Sequence, residues 1–324
     1  MSFTEELMST HYDQALSLRK QGFTYRAIGA KIGVSKQAYY KCDGSTSARK
    51  AAQESFALEF IHTVRSMDPG IGGMKLWHMY KDAFPGIDRV GRDKFEDIID
   101  RHGLKVRRKM RRPRTTDSTH GLPLFPNLVR ELIPTAVNQL WVTDITYIPV
   151  WIDDTHYVFC YLSLVTDAYS HEIIGWAVGP NLGSAYPLQA LEMAKGRLGD
   201  PGGAFCGSLI HHSDRGVQYA SREYVEALRG CGIRISMTEN GDPKENAIAE
   251  RINSTMKNEL LKGMRFRSVE EVREAVGKAV HFYNNMRPHM SVDMMTPAQA
   301  ARCHGEIVKW WKSYREEAIK NGRA

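Results

Sequence analysis

Between residues 12 and 104 apolar side chains recur every three to four positions, the period of a helix with one buried face. The pattern predicts helices over 12–20, 25–31 and 36–42, then over 48–66, 73–83 and 89–101. Gly22 parts the first pair, and Ile32-Gly33-Val34-Ser35 forms the turn before the third. Glycine accepts the positive φ of such a turn, and Ser35 is a natural cap for the helix that follows. Asp68-Pro69-Gly70 and Pro85-Gly86 punctuate the second set, and Gly103 ends it. From residue 140 the texture changes. Segments 140–150, 157–166 and 172–178, rich in Val, Ile, Thr, Tyr and Trp, predict three consecutive strands. A helix over 184–198, a short strand over 209–212, a helix over 222–231 and a strand over 233–237 follow. Long helices are expected over 246–262 and 268–285, then an amphipathic helical tail with Trp310 and Trp311 packed on the body.

Three strands, then alternating helix and strand, then helices, predict a mixed α/β sheet between helical layers, preceded by all-α units. The expected organisation is a helix-turn-helix DNA-binding domain over 1–46, a second helical DNA-binding domain over 47–104, a linker over 105–134, a sheet-bearing core over 135–290 and a helical tail over 291–324. In the first unit 36–42 is the candidate recognition helix, with Ser35, Lys36, Gln37 and Tyr40 as its DNA-facing residues.

Charge sharpens this division. The chain of 324 residues is +7 overall, yet residues 1–120 hold 22 Lys/Arg against 14 Asp/Glu while the remainder holds 22 against 23. The whole basic excess therefore sits in the first third, where it suits a polyanion such as nucleic acid. Seven of the ten residues from 105 to 114 are basic, and Arg107, Arg108, Lys109, Arg111, Arg112 and Arg114 are candidate phosphate contacts. Five scattered cysteines without a CxxC pair argue against a disulfide framework or a Cys-based zinc site, and fit a reducing cytoplasm. No apolar stretch approaches the ~18 residues of a membrane span. The polar, acidic start is not a signal peptide.

Three carboxylates stand out by placement. Asp144 lies inside the first strand, in Trp141-Val142-Thr143-Asp144-Ile145-Thr146-Tyr147, where a charge is costly unless paired or bound to a metal. Asp214 follows the short strand, in His211-His212-Ser213-Asp214-Arg215-Gly216, at the end of a sheet strand where α/β proteins place their sites. Glu250 sits on a long helix, with 35 residues between it and Asp214. Phosphodiester chemistry needs an activated oxygen nucleophile and a stabilised leaving oxygen. Two Mg²⁺ ions ~3.5–4 Å apart supply both, and hard Mg²⁺ takes carboxylate oxygens. Singly, each acid has a plain structural role open to it: a strand-edge charge, a turn residue, a solvated helix residue. His211 and His212 are adjacent in a strand, so they face opposite ways and read as structural.

The stretch resembles the retroviral-integrase-like core of bacterial D,D-35-E transposases, most closely the insertion-sequence-3 family. The resemblance rests on 141–147, Asp167-Ala168-Tyr169-Ser170, 212–219, Asn246-Ala247-Ile248-Ala249-Glu250, and Tyr283-Asn284-Asn285-Met286-Arg287-Pro288-His289 with Thr296-Pro297. It covers residues 56 to 302. It implies a ribonuclease-H-like five-stranded mixed sheet, and Asp144, Asp214 and Glu250 as ligands of two Mg²⁺ ions, with Mn²⁺ able to substitute. It implies hydrolysis that frees a 3′-OH, then attack of that hydroxyl on another phosphodiester. The family carries a basic residue seven positions after the helix Glu, here Lys257, which would position a DNA phosphate beside the acids. Arg215 and Tyr219 are further candidate DNA contacts. Implied partners are double-stranded DNA, both terminal inverted repeats and target, and at least a second copy of the chain. The implied location is the bacterial cytoplasm, at the nucleoid. Departures are Glu245 in place of Asp, Arg251 in place of Ser, Asp293 in place of Gly, and the lack of a leucine zipper over 45–68. Two competing readings stay open: a DNA-binding regulator with an inactive core, and a nuclease that does not join strands.

Overall fold

The computed structural model describes residues 44–84, 90–106, 122–198, 207–239 and 243–322, with Leu18, Gln21 and Ala27 as isolated positions. The expected helix-turn-helix, with Ser35, Lys36, Gln37 and Tyr40, lies outside the described residues. So do Arg107, Arg108, Lys109, Arg111, Arg112 and Arg114 of the linker.

Three helices come first: α1 (Gly44–Met67), α2 (Gly73–Ala83) and α3 (Arg92–Arg101). Then come β1 (Leu140–Trp151), β2 (Tyr157–Asp167), β3 (Ile173–Gly179), α4 (Ala185–Lys195), β4 (Ile210–Ser213), α5 (Arg222–Gly230) and β5 (Arg234–Met237). The chain ends in α6 (Ala247–Thr255), a π-helical turn (Met256–Leu260), α7 (Val269–Asn285), α8 (Pro297–Ala300) and α9 (Tyr314–Lys320). The five strands form one sheet in the order β3-β2-β1-β4-β5. β1 pairs antiparallel with β2, and β2 with β3, while β4 runs parallel to both β1 and β5. This is the mixed α/β sheet flanked by helices that the element order predicted.

Alternation along β1 and β2 sorts their side chains into two cores. Ile148, Val150, Cys160, Leu162 and Leu164 pack with α1, α2, α3, α6 and α7 on one face. Trp141 and Val165 pack with α4 and α5 on the other. The segment 47–104 thus shares its apolar core with the sheet rather than closing on itself. α4 lies so close to β3 that a Cβ on Gly175 would stand 2.0 Å from the Ala190 carbonyl oxygen.

The sheet is uneven, and this places the site. β4 pairs with β1 only from Leu140 to Val142, so from Thr143 onward β1 has a neighbour on the β2 side alone until the bridge at Val150. Pro149 sits in that stretch, where its missing N–H breaks no ladder on the open side.

Two expectations are corrected. The helix predicted over 246–262 is α-helical only to Thr255 and then widens into the π turn, with Leu261 N–H donating to the Met256 carbonyl at 2.9 Å. The tail is not one amphipathic helix. Trp310 and Trp311 are each 48% exposed, and their indole N–H groups donate to Asp293 Oδ1 (2.8 Å) and Ser291 Oγ (3.1 Å). Asp293 itself adopts φ 54°, a left-handed conformation that glycine takes more easily than other residues.

Candidate active site

The site forms where β1 and β4 part. The last residue pair in register is Val142 with His212, so Asp144 and Asp214 each stand two positions beyond it. Neighbouring strands run ~4.8 Å apart, so both carboxylates arrive at one notch. α6 crosses over this notch. Ala249 packs with Leu140 and Val142, and Asn246 Nδ2 donates to the Thr143 carbonyl at 2.9 Å. These contacts pin the start of α6 to β1 and set Glu250, exposed in the first turn, beside the strand acids.

Both oxygens of Asp144 are held. Ile145 N–H donates to Oδ1 (2.8 Å) and Asn253 Nδ2 to Oδ2 (2.9 Å). Asp214 is held by the Gly216 N–H at 3.0 Å. Burial pushes the Asp144 carboxyl up to about 7, and the Asp214 and Glu250 charges add to the rise, against the pull of the Asn253 and Ile145 bonds. Burial, then the Asp144 and Asp214 charges, push the fully buried Tyr219 phenol far up. Lys257, on the π turn, places its Nζ 3.8 Å from the centre of the Tyr147 ring. Burial draws its ammonium down, and Asp144 opposes that shift.

The other sequence candidates are anchored in the fold. His211 meets the Tyr224 hydroxyl at 3.0 Å. His212 bridges Ser236 Oγ (2.8 Å) and the Glu245 carbonyl (3.0 Å), bracing the approach to α6. Both are buried and structural. Arg215 is half-buried and donates to the Thr238 carbonyl at 2.7 Å. The Asp167-Ala168-Tyr169-Ser170 motif is a turn closed on a buried carboxylate, with the N–H groups of Asn138, Tyr169 and Ser170 and the Ser170 hydroxyl donating to Asp167. Sequence reasoning missed Asn253. Its position three residues after Glu250, on the same helix face, was the available clue.

Three acidic oxygen donors suit a hard divalent ion. Among the described residues, no three His, Cys, Asp or Glu side chains stand close enough to form a ready-made metal cage. The charges also suit a cation: burial first, and then the Asp214 and Glu250 charges, push the Asp144 carboxyl up, and a bound cation would oppose that rise. Each held oxygen of Asp144 keeps a lone pair for a metal.

An integrase core domain model matches residues 134–243, and a second integrase core model matches 231–297. The putative transposase of insertion sequence element IS986/IS6110 from Mycobacterium tuberculosis is 32% identical over 271 residues, spanning 82% of this chain and 94% of its own. Transposase InsF for insertion sequence IS3A of Escherichia coli is 31% identical over 201 residues, spanning 61% of this chain and 66% of its own. Among solved structures, the HTLV-2 integrase catalytic core domain in complex with magnesium covers 52% of this chain and 98% of that one, at 19% identity and a TM-score of 0.38. No helix among the described residues is long and apolar enough to cross a membrane. The chain belongs to the bacterial insertion-sequence transposases with an integrase-like core, polynucleotidyl transferases that include the IS3 relative.

Proposed function

We propose that this transposase binds the terminal inverted repeats of its own element, frees a 3′-OH by hydrolysis and joins it to a second phosphodiester. Asp144, Asp214 and Glu250 are the catalytic acids in this reading. The observation that carries it is the register: Asp144 and Asp214 lie two residues past the final β1–β4 pair, under the helix that brings Glu250. The three acids would hold two Mg²⁺ ions, or Mn²⁺ in their place, which would activate the attacking oxygen and stabilise the leaving one. The chain's own groups do the positioning. Asn253 and the Ile145 N–H fix the plane of the Asp144 carboxylate. Lys257, beside Asp144, meets a DNA phosphate and holds the scissile bond in line. Arg215 and the basic linker from Arg107 to Arg114 follow the DNA backbone away from the cleft, and the helix-turn-helix residues Ser35, Lys36, Gln37 and Tyr40 read the repeat. Two ends must meet, so the active form is at least a dimer, working in the cytoplasm on nucleoid DNA.

The test places the element's flanking DNA on a plasmid, expresses the protein, and amplifies across abutted ends, with Glu250→Gln in parallel. Junction product from the wild type alone supports strand joining through the acids. Nicks without junctions would leave a nuclease. End binding with neither product would leave a regulator with an inactive core. Glu250→Gln is expected to retain end binding, and equal loss of binding and cleavage would refute the division of labour.

A further inference from the structure

The hairpin of β1 and β2 carries a row of aromatic rings beyond the reach of α4 and α5. Tyr147, Trp151, Tyr157 and Phe159 share one face, since Tyr147 opposes Tyr161, Pro149 opposes Phe159 and Trp151 opposes Tyr157. The rings touch in sequence: Trp151 to Tyr157 at 5.1 Å, Tyr157 to Phe159 at 5.3 Å, Phe159 to Tyr147 at 4.8 Å. This side of the sheet is core further along, yet here Tyr147 is 50%, Tyr157 47% and Phe159 39% exposed. An exposed aromatic row of this length has a cost in water that a folded chain normally avoids.

A cation sits on each end of the row. Lys257 reaches round the unpaired edge of β1 to lie over Tyr147, and the Arg265 guanidinium lies 4.1 Å from the centre of the Trp151 ring. Arg265 and its neighbour Arg267 also pair with Asp154 at the hairpin tip, at 3.6 Å and 3.1 Å, so their charge is partly balanced there. The inner end of the row is Tyr147, whose cation also interacts with Asp144 in the cleft.

We propose that this row is a stacking platform for unpaired bases of a DNA strand leaving the cleft. Flat rings with flanking cations recognise base faces and phosphates together. A duplex presents no free base faces to the rings, so the occupant is single-stranded DNA. This rests on the transposase reading for its biological setting, but its test does not require catalysis.

The test measures fluorescence anisotropy of the full-length protein with a short fluorescein-labelled oligothymidylate, with an abasic strand of equal length, and with duplex. All are run in EDTA, where cutting and joining cannot contribute. Wild type is expected to bind oligothymidylate more tightly than the abasic strand. The Tyr157→Ala/Phe159→Ala double variant, checked for folding by circular dichroism, is expected to weaken oligothymidylate binding by about tenfold or more and leave the abasic strand unaffected. Tyr157→Trp should keep wild-type affinity. Equal wild-type affinity for oligothymidylate and abasic strands overturns the proposal whatever the variants do. So does a double variant that loses self-association in light scattering with DNA affinity unchanged, because the row is then an interface between copies. Binding in EDTA is read without cutting or joining, so a failed joining assay and a failed platform are separate results.

Discussion

Replacing Arg287 with Met tests what holds the first helices to the catalytic core. Arg287 follows α7 and is 2% exposed, and Asp68, in the turn after α1, is 0% exposed. The guanidinium donates twice to Glu259 Oε1, at 2.9 Å and 2.7 Å, and lies 3.5 Å from Asp68 Oδ2. At 3.5 Å and an effective dielectric near 20, one such attraction is about 5 kcal/mol. Removing one partner of a buried pair typically destabilises by about 3–5 kcal/mol, because the other charge stays buried and alone. Arg287→Met keeps most of the volume and removes the charge, so a loss of that size is expected in urea unfolding.

The same network dictates how the loss varies with pH. Burial first, and then the Glu259 charge, push the Asp68 carboxyl above its ordinary value, while Arg287 and Lys75 pull it down. An acid raised in the fold contributes stability that is complete below its unfolded pKa and fades as pH rises through the folded value. Without Arg287 the rise is larger, so the deficit should be greater near pH ~8 than near pH ~5. In Asp68→Leu/Arg287→Met no unpaired Asp68 charge is left, and much of the lost stability should return. A single variant within ~1 kcal/mol of wild type, or a double variant as poor as the sum of its parts, would refute this reasoning.

Neutralising Arg107, Arg108, Arg111 and Arg112 together should lower the slope of log affinity against log salt by about 0.9 for each phosphate that is no longer neutralised; an unchanged slope takes the linker off the DNA path. Gly175→Ala should destabilise by ~1–3 kcal/mol or more, because the new methyl meets the Ala190 carbonyl at 2.0 Å and only a shift of α4 relieves it; a thermal melt equal to wild type would show that α4 moves freely. Burial holds the His171 and His211 imidazoles down at about 4 and about 3. The unfolded chain takes up protons below ~6.5, so stability should fall as pH drops from there toward 4, and His211→Gln should flatten that fall; an unchanged acid slope would contradict it.

The sheet was legible because β-branched and aromatic alternation needs only local sequence, and all five strands lie within a residue or two of the predicted spans. α2 matches at both ends, between the Asp68-Pro69-Gly70 turn and Phe84. The π turn was not legible. Met256-Lys257-Asn258-Glu259-Leu260 is ordinary helical sequence and carries no local sign of the wider turn. The Gly70 N–H donates to the Glu259 carbonyl at 3.0 Å and ties the end of this turn to the loop after α1. Trp310 and Trp311 do pack on the body, Trp310 edge-to-face on His78 at 6.3 Å, but in half-exposed seats where their indole N–H groups meet polar partners, and not on a helix. The acids stood out by spacing. Their meeting depended on where β4 stops pairing with β1, which no local pattern encodes.

That π turn also joins two parts of the molecule that the domain division separates. The start of α6 is pinned to β1 through Asn246 and Thr143. Its continuation is pinned to the turn after α1 through Gly70 and Glu259, with no slack: a Cβ on Gly70 would stand 2.4 Å from the Glu259 Cα. Glu250 and Lys257 lie between these two anchors. A shift of α1 and α2 relative to the sheet must therefore either break the Gly70–Glu259 bond or move Lys257 off Tyr147. Asp214 is held by its own loop and Asp144 by its own strand, while Asn253 of α6 also ties Asp144 to the helix that carries Glu250. The helix-borne part of the site is attached both to the core and to the first helices, and the buried Arg287 charge, between Asp68 and Glu259, spans that second attachment.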